Sequence, residues 1–170
     1  DVIVCVDESG STESDDKDAW DKAITYALVD KVGGQGRCAS VIHFSSASEV
    51  SEDLFIPGQY TSEDVMNSAR HFYCGGTNYE APLRKAVSTL DSGVLSKADI
   101  VFITDGQCSI SSVFQDWLCA KLSEHHASIT GVLLDSGNNF EFSLKGFCKT
   151  IYRTSELAPS EILSELVLLR

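Results

Sequence analysis

Asp7, Ser9 and Ser11 alternate along DVIVCVDESGST, where a run of apolar residues stops. A carboxylate and two hydroxyls in that spacing can form a nucleophile site, a metal cradle or a helix-capping turn, since Asp and Ser are favoured caps. Two other polar knots follow the same logic. Asp105 and Gly106 come directly after DIVFIT, and Thr77 follows two glycines in CGGTNYEAP. Taken singly, Thr77 reads as a turn hydroxyl and Asp105-Gly106 as an ordinary turn. Taken together, they supply two acids and three neutral hydroxyls. Magnesium is a hard cation with six oxygen ligands, and it gives up its waters reluctantly. Ser9, Ser11 and Thr77 could touch such an ion directly, while Asp7 and Asp105 hold its waters. Its charge would be incompletely neutralised, and it would seek one more anionic oxygen from a partner's Asp or Glu. Gly75, Gly76 and Gly106 allow the loops to approach closely or to adopt positive φ.

Enzyme readings compete for the same residues. A phosphatase of the haloacid dehalogenase type places a nucleophilic Asp at the end of its first strand and a second Asp, the general acid, two residues later. That second position is Ser9 here, which is no acid near neutral pH. A response-regulator receiver needs an acidic pair near the first strand and a phosphorylatable Asp after the third; Glu8 could join such a pair, but both serines and Thr77 would go unexplained. A dinucleotide-binding domain lacks its GxGxxG turn. The alternative to a binding module is therefore a metal-dependent phosphate-processing α/β enzyme of the haloacid dehalogenase or receiver type.

The elements that must position these residues are legible as short apolar runs: Val2 to Val6, Ser40 to Phe44, Ile100 to Ile103 and Ile129 to Leu134. Segments with helical spacing lie between and after them, marked by Trp20, Ile24, Ala27 and Leu28; by Val65, Met66, Ala69 and Phe72; by Leu83, Ala86, Val87 and Leu90; by Val113, Phe114, Trp117, Leu118 and Leu122; and by Ile162, Leu163, Leu166 and Leu169. Runs apolar on both faces imply a parallel sheet between helix layers, so the fold class is a doubly wound α/β domain. Ser48 to Phe55 alternates weakly and reads as an antiparallel edge strand. Thr61 to Asp64 reads as a helix start, and DSGNN (135–139) as a loop. Ligands of such sheets bind beyond the carboxyl ends of the strands, where strand order reverses. Two of the polar knots fall there, directly after apolar runs; the third, with Thr77, lies between the second and third helical segments, in a loop that could converge with them.

The chain has 170 residues and a net charge of −12, from 25 acids against 13 Lys and Arg. This balance excludes nucleic-acid phosphates as a partner, because affinity there comes from clustered cations; it suits a cation or a basic partner. No apolar stretch reaches the roughly 20 residues a membrane helix needs. The chain starts on a strand-like run without methionine, so we read it as a fragment of a longer protein. Six cysteines lack the close pairing of a zinc site, and we expect them reduced, in the cytoplasm. His43 reads as a hydrogen-bonded histidine of a buried strand, His125 and His126 as the close of a helix, and Trp20 and Trp117 as core.

DESGS resembles the Asp-x-Ser-x-Ser signature of the von Willebrand factor type A (VWA) domain, GGTN its threonine loop and ITDG its second aspartate. The three pieces stand in the family's order, and the resemblance spans the chain. It implies a metal-ion-dependent adhesion site made by Asp7, Ser9, Ser11, Thr77 and Asp105, holding Mg2+, with Mn2+ or Ca2+ as possible substitutes. It also implies a single domain over residues 1–170 with a mostly parallel six-stranded sheet, one antiparallel edge strand and helices on both faces. The implied function is protein binding through a partner's acid, not enzymatic catalysis. IVCVDESGS, HFSS, GGTNYEAPLRKAV and ADIVFITDGQC are most similar to the bacterial ViaA and CoxE-like group, whose VWA domain lies near the C-terminus. That implies a MoxR-type AAA+ ATPase as partner. Glu8 stands where many relatives carry a neutral residue, and Glu13, Asp15, Asp16 and Asp18 add acids nearby.

Overall fold

Strands that are buried on both faces have nowhere to sit but the middle of a layered molecule. In the computed structural model, which describes residues 1–14, 16–95, 97–106, 108–135 and 141–169, four runs do this. They are β1 (Val2–Asp7), β2 (Ala39–Phe44), β4 (Asp99–Thr104) and β5 (Ile129–Leu133), each buried throughout. β3 (Val50–Phe55) and β6 (Thr150–Arg153) are only partly covered and form the two edges. The sheet order is β3-β2-β1-β4-β5-β6. Every pairing is parallel except that of β3 on β2, which is antiparallel. The fold is thus the doubly wound, mostly parallel α/β sheet expected, with its antiparallel edge at β3.

Alternation along β1 separates two cores. Ile3 and Cys5 face a cluster with Leu83, Val87 and Leu90 of α3 (Glu80–Asp91) and with Phe114, Leu118 and Leu122 of α4 (Ser112–His125). Val2, Val4 and Val6 face a second cluster with Ile24, Leu28 and Val32 of α1 (Lys17–Gly34) and Ile162 and Leu166 of α5 (Pro159–Leu166). Helices therefore cover both faces. α2 (Ser62–Arg70) starts at Thr61 as its residues imply: the Thr61 N–H donates to Asp64 Oδ2 at 2.7 Å and the Asp64 N–H to Thr61 Oγ1 at 3.3 Å.

Several expectations shift in detail. Met66 and Val113, counted on apolar helix faces by spacing, are 50% and 80% exposed, so α2 and α4 present narrower apolar stripes than the pattern suggested. Trp20 and Trp117 pack against the two cores but are half-buried. β6, without a distinctive apolar run, escaped the residue pattern. Its last residue, Arg153, donates through Nε to Asp135 Oδ2 at 2.7 Å. Of the loop read in DSGNN, residues 136–139 lie outside the described residues.

The antiparallel edge is fastened by one acid. Glu52 of β3 accepts from Ser40 Oγ of β2 at 2.7 Å and Thr89 Oγ1 of α3 at 2.6 Å, and it pairs with Lys85 Nζ at 2.7 Å. Burial pushes its carboxyl up, but the Lys85, Thr89 and Ser40 donors outweigh burial and hold it below the ordinary Glu range. A depressed folded pKa contributes stability above the unfolded value, lost as pH falls through the folded one. Glu52→Gln should therefore cost about 1.5 kcal/mol at pH 7, with the difference from wild type closing once the pH drops below the depressed pKa. Urea unfolding at pH 7 and at acid pH measures both.

Candidate metal centre

Strand order reverses between β1 and β4, so the carboxyl ends of these two strands open onto the sheet's natural ligand crevice. Asp7 is the last residue of β1 and Asp105 the first after β4. Asp7 is fully buried. Its Oδ1 accepts the Ser9 N–H at 3.0 Å, and its Oδ2 accepts the Thr104 hydroxyl at 2.5 Å. With its one hydrogen committed, Thr104 Oγ1 acts as acceptor for Tyr79 O–H at 2.8 Å and Gly106 N–H at 3.1 Å. Burial pushes the Asp7 carboxyl up to about 6, against the Thr104 and Ser9 hydrogen bonds, with Asp105 adding a smaller push. A buried carboxylate held only by neutral donors is short of positive charge.

After Asp7 the chain turns through a short 3-10 segment, Gly10–Glu13, fastened by Thr12 Oγ1 donating to Ser9 O at 2.7 Å. The Ser9 and Ser11 hydroxyls lie 3.1 Å apart. The loop of Thr77 crosses this turn directly. Ser9 pairs with Gly75 in an isolated bridge, the Gly10 N–H donates to Gly75 O at 2.9 Å, and the Cys74 N–H donates to Glu8 O at 2.9 Å. Ser45 ties the same loop down, donating to Gly76 O at 2.7 Å and accepting the Gly75 N–H at 3.0 Å. A Cβ on Gly75 would come within 2.8 Å of Ser45 Oγ, so the close crossing needs glycine there. Thr77 is half-buried, and its carbonyl accepts from Cys108 Sγ at 3.5 Å.

Asp105 is buried, with Lys17 Nζ 3.5 Å from its Oδ2. The chain leaves it through Gly106 at φ +86°, a conformation that favours glycine. The fold thus brings Asp7, Ser9, Ser11 and Asp105 to adjacent strand ends and lays the Thr77 loop against Ser9 and Gly10. Every donor in this set is oxygen, two are buried carboxylates and three are neutral hydroxyls, a composition that fits a hard divalent cation.

Other residues fall as follows. Glu13 and Asp16 are exposed, Glu13 accepting from Cys74 Sγ at 3.6 Å, while Asp15 lies outside the described residues. All six cysteines are free thiols. His125 closes α4 in a 2.7 Å pair with Asp91, and His126 caps the helix in the left-handed region. His43 is buried and hydrogen-bonded as expected. The sequence reading missed Thr104 and Tyr79, the two hydroxyls that hold Asp7. It left Glu8 without a role and passed over Lys22 and His71. Glu8 is fully buried, flanked by Lys22, His43 and His71. Strand parity offered the signal: Glu8 continues the Val2, Val4, Val6 series, and His43 continues Ala39 and Val41, so both point toward α1.

The relay onto Asp7 predicts unequal costs. Thr104→Val strips the hydroxyl that Asp7, Tyr79 and Gly106 all share, and should destabilise by about 2–3 kcal/mol by leaving buried donors unmatched. Tyr79→Phe leaves Thr104 its Gly106 donor and should cost about 1 kcal/mol. Urea denaturation of the two variants checks the ranking; equal costs would contradict the relay.

The geometry agrees with what the chain is similar to. A model of the von Willebrand factor type A domain matches residues 2–107. The uncharacterized protein MJ0077 of Methanocaldococcus jannaschii is 26% identical over 98% of this chain, which spans 41% of that protein's length. Among solved structures, an aerotolerance-related membrane protein of Bacteroides fragilis superposes with a TM-score of 0.73 at 16% identity, covering 97% of this chain and 95% of that one. Proximal thread matrix protein 1 of the mussel byssus, with a zinc-occupied MIDAS (metal-ion-dependent adhesion site) motif, superposes with a TM-score of 0.69 at 20% identity, covering 98% of this chain and 46% of that one. With more than half of its length matched, this chain belongs to the von Willebrand factor type A domain family, whose members are generally protein-interaction modules rather than enzymes.

Proposed function

We propose that the domain binds a divalent cation through Asp7, Ser9, Ser11, Thr77 and Asp105 and uses it to engage an acidic residue of a protein partner. The observation that carries this reading is the convergence of two buried carboxylates and the Ser9–Ser11 hydroxyl pair at the β1/β4 switch point, under the Thr77 loop. When bound, the ion would supply an electrophilic centre with a coordination position for a carboxylate oxygen. Ser9 and Ser11 present neutral oxygens, so charge is left over for the partner's acid. Thr104 and Tyr79 fix the rotamer of Asp7, and Lys17 gives Asp105 a nearby cation. The hard oxygen set favours Mg2+, with Mn2+ and Ca2+ as substitutes, although the zinc-occupied motif of the mussel protein supports a wider tolerance.

The finer assignment is to the group that works beside MoxR-type AAA+ ATPases, in the cytoplasm. Its support is the wording of the four sequence stretches and the six free thiols, which suit a reducing compartment. The relative matched over nearly the whole chain comes from Methanocaldococcus jannaschii, so the kinship reaches beyond bacteria.

Calorimetric titration with Mg2+ should show one site in wild type and none in Asp7→Ala; equal binding by both would sink the assignment. The ligand form of Asp7 is the anion, and burial raises its pKa to about 6. Affinity should therefore be level above pH 6 and weaken by about tenfold per pH unit below it. A flat profile from pH 7 to 5 would remove Asp7 from the ligand set.

A further inference from the structure

Directly behind Asp7, on the α1 side of the sheet, Glu8 sits at the centre of a cluster that the oxygen site does not use. Its Oε1 lies 2.6 Å from His43 Nδ1 and its Oε2 2.7 Å from His71 Nδ1. The Lys22 ammonium also contacts Oε1 and donates to His71 O at 2.9 Å. Glu8 and His43 are fully buried, whereas the His71 side chain is 35% exposed. The ligand atoms of Glu8, His43 and His71 all lie within 4.8 Å of one another.

The hydrogen-bond roles in this cluster are constrained. His43 Nε2 faces Asp53 Oδ2 at 3.2 Å and Ser68 Oγ at 3.0 Å, and Ser68 Oγ already accepts Tyr26 O–H at 2.7 Å. A carboxylate only accepts, so the Asp53 contact is a hydrogen bond only when Nε2 carries the hydrogen. In the neutral imidazole, Nδ1 is then a bare lone pair aimed at an anionic oxygen. A cation between the two atoms, either a second ring proton or a metal ion, removes that repulsion. An Asp–His pair of this kind, with the far nitrogen left as donor atom, is the arrangement that orients metal-bound histidines.

Asp21, next in sequence to Lys22, is fully buried with neither carboxylate oxygen hydrogen-bonded, and burial pushes its carboxyl well above the ordinary Asp range.

We propose that Glu8, His43 and His71 form a second metal site, of a kind that takes zinc, separate from the oxygen site at Asp7. Two imidazoles and one carboxylate are a zinc donor set, and three protein ligands leave a fourth position for water or an incoming ligand. Bonds of about 2.0–2.2 Å require the donors to part by less than about 1 Å, which His71 can provide from its half-open position. Glu8 can bind through Oε2 and keep Oε1 for Lys22. Access is present as well: a cleft of about 450 Å³ between β3 and α2 is lined by Asp53, Asp64, Asn67, Ser68 and His71. The two sites select by softness, hydroxyl and carboxylate oxygen for Mg2+ on one face and imidazole for a borderline ion on the other.

Cobalt(II) tests this as a zinc reporter, because four-coordinate cobalt absorbs visible light far more strongly than the six-coordinate ion an all-oxygen site would hold. The chain saturated with Mg2+ and titrated with Co2+ should develop the strong band, and one equivalent of Zn2+ should abolish it. The band should persist in Thr77→Ala, weaken about tenfold in apparent affinity in Asp53→Asn, and vanish in His71→Ala, whose near-ultraviolet dichroism and Mg2+ binding verify the fold. No band in wild type would overturn the proposal. So would a band that survives His71→Ala or is lost in Thr77→Ala. As a check independent of any variant, Zn2+ should shift the imidazole proton resonances of His43 and His71 and leave those of His125 and His126 in place; unmoved His43 and His71 signals would also overturn it.

Discussion

One buried anion organises this domain. The Asp7 carboxylate ends the central strand of the sheet in full burial, where desolvation opposes its charge and only neutral groups hydrogen-bond to it. Each neighbouring structure answers that condition. The turn after β1 returns the Ser9 N–H to it, the end of β4 supplies Thr104, and α3 begins next to Tyr79, which feeds Thr104. Asp105 sharpens the deficit of positive charge. A site so arranged is pre-set for a cation, and its exposed side is built from serine and threonine, whose hydroxyls leave the ion's charge for a partner.

Strand alternation makes consecutive residues do different work. Asp7 continues the Ile3 and Cys5 series and meets the α3 side, while Glu8 continues Val2, Val4 and Val6 and meets the α1 side. A carboxylate at each position puts negative charge on both faces of the sheet at one strand end. The oxygen-rich surroundings of Asp7 and the imidazole-rich surroundings of Glu8 then differ in which cation they suit. Because the Cys74 N–H binds Glu8 O while the next residue, Gly75, bridges to Ser9, a single loop buttresses both environments.

Much of this was legible in the chain. The four fully buried strands announce themselves as continuous apolar runs, and the polar residues that follow β1 and β4 fall where a doubly wound sheet binds ligands. The Thr61 to Asp64 box marks the start of α2 because capping is local chemistry. What stayed hidden depends on register and distance. β6 is a partly covered edge strand and has no apolar run to betray it. Thr104 looks like the last residue of a strand until β4 is set beside β1. Glu8, His43 and His71 are separated by 35 and 63 residues in their contacts, so no spacing rule joins them. Met66 and Val113 show the opposite failure, since helical periodicity cannot tell a partly covered face from a solvent-facing one.

The most direct test of the cation cradle is the anomalous scattering of manganese in crystals grown with Mn2+. The account predicts a single strong peak coordinated by Ser9 and Ser11, with Thr77 on its flank and the carboxylates of Asp7 and Asp105 beside it. No peak at these residues, with manganese bound elsewhere on the chain or not at all, would contradict it.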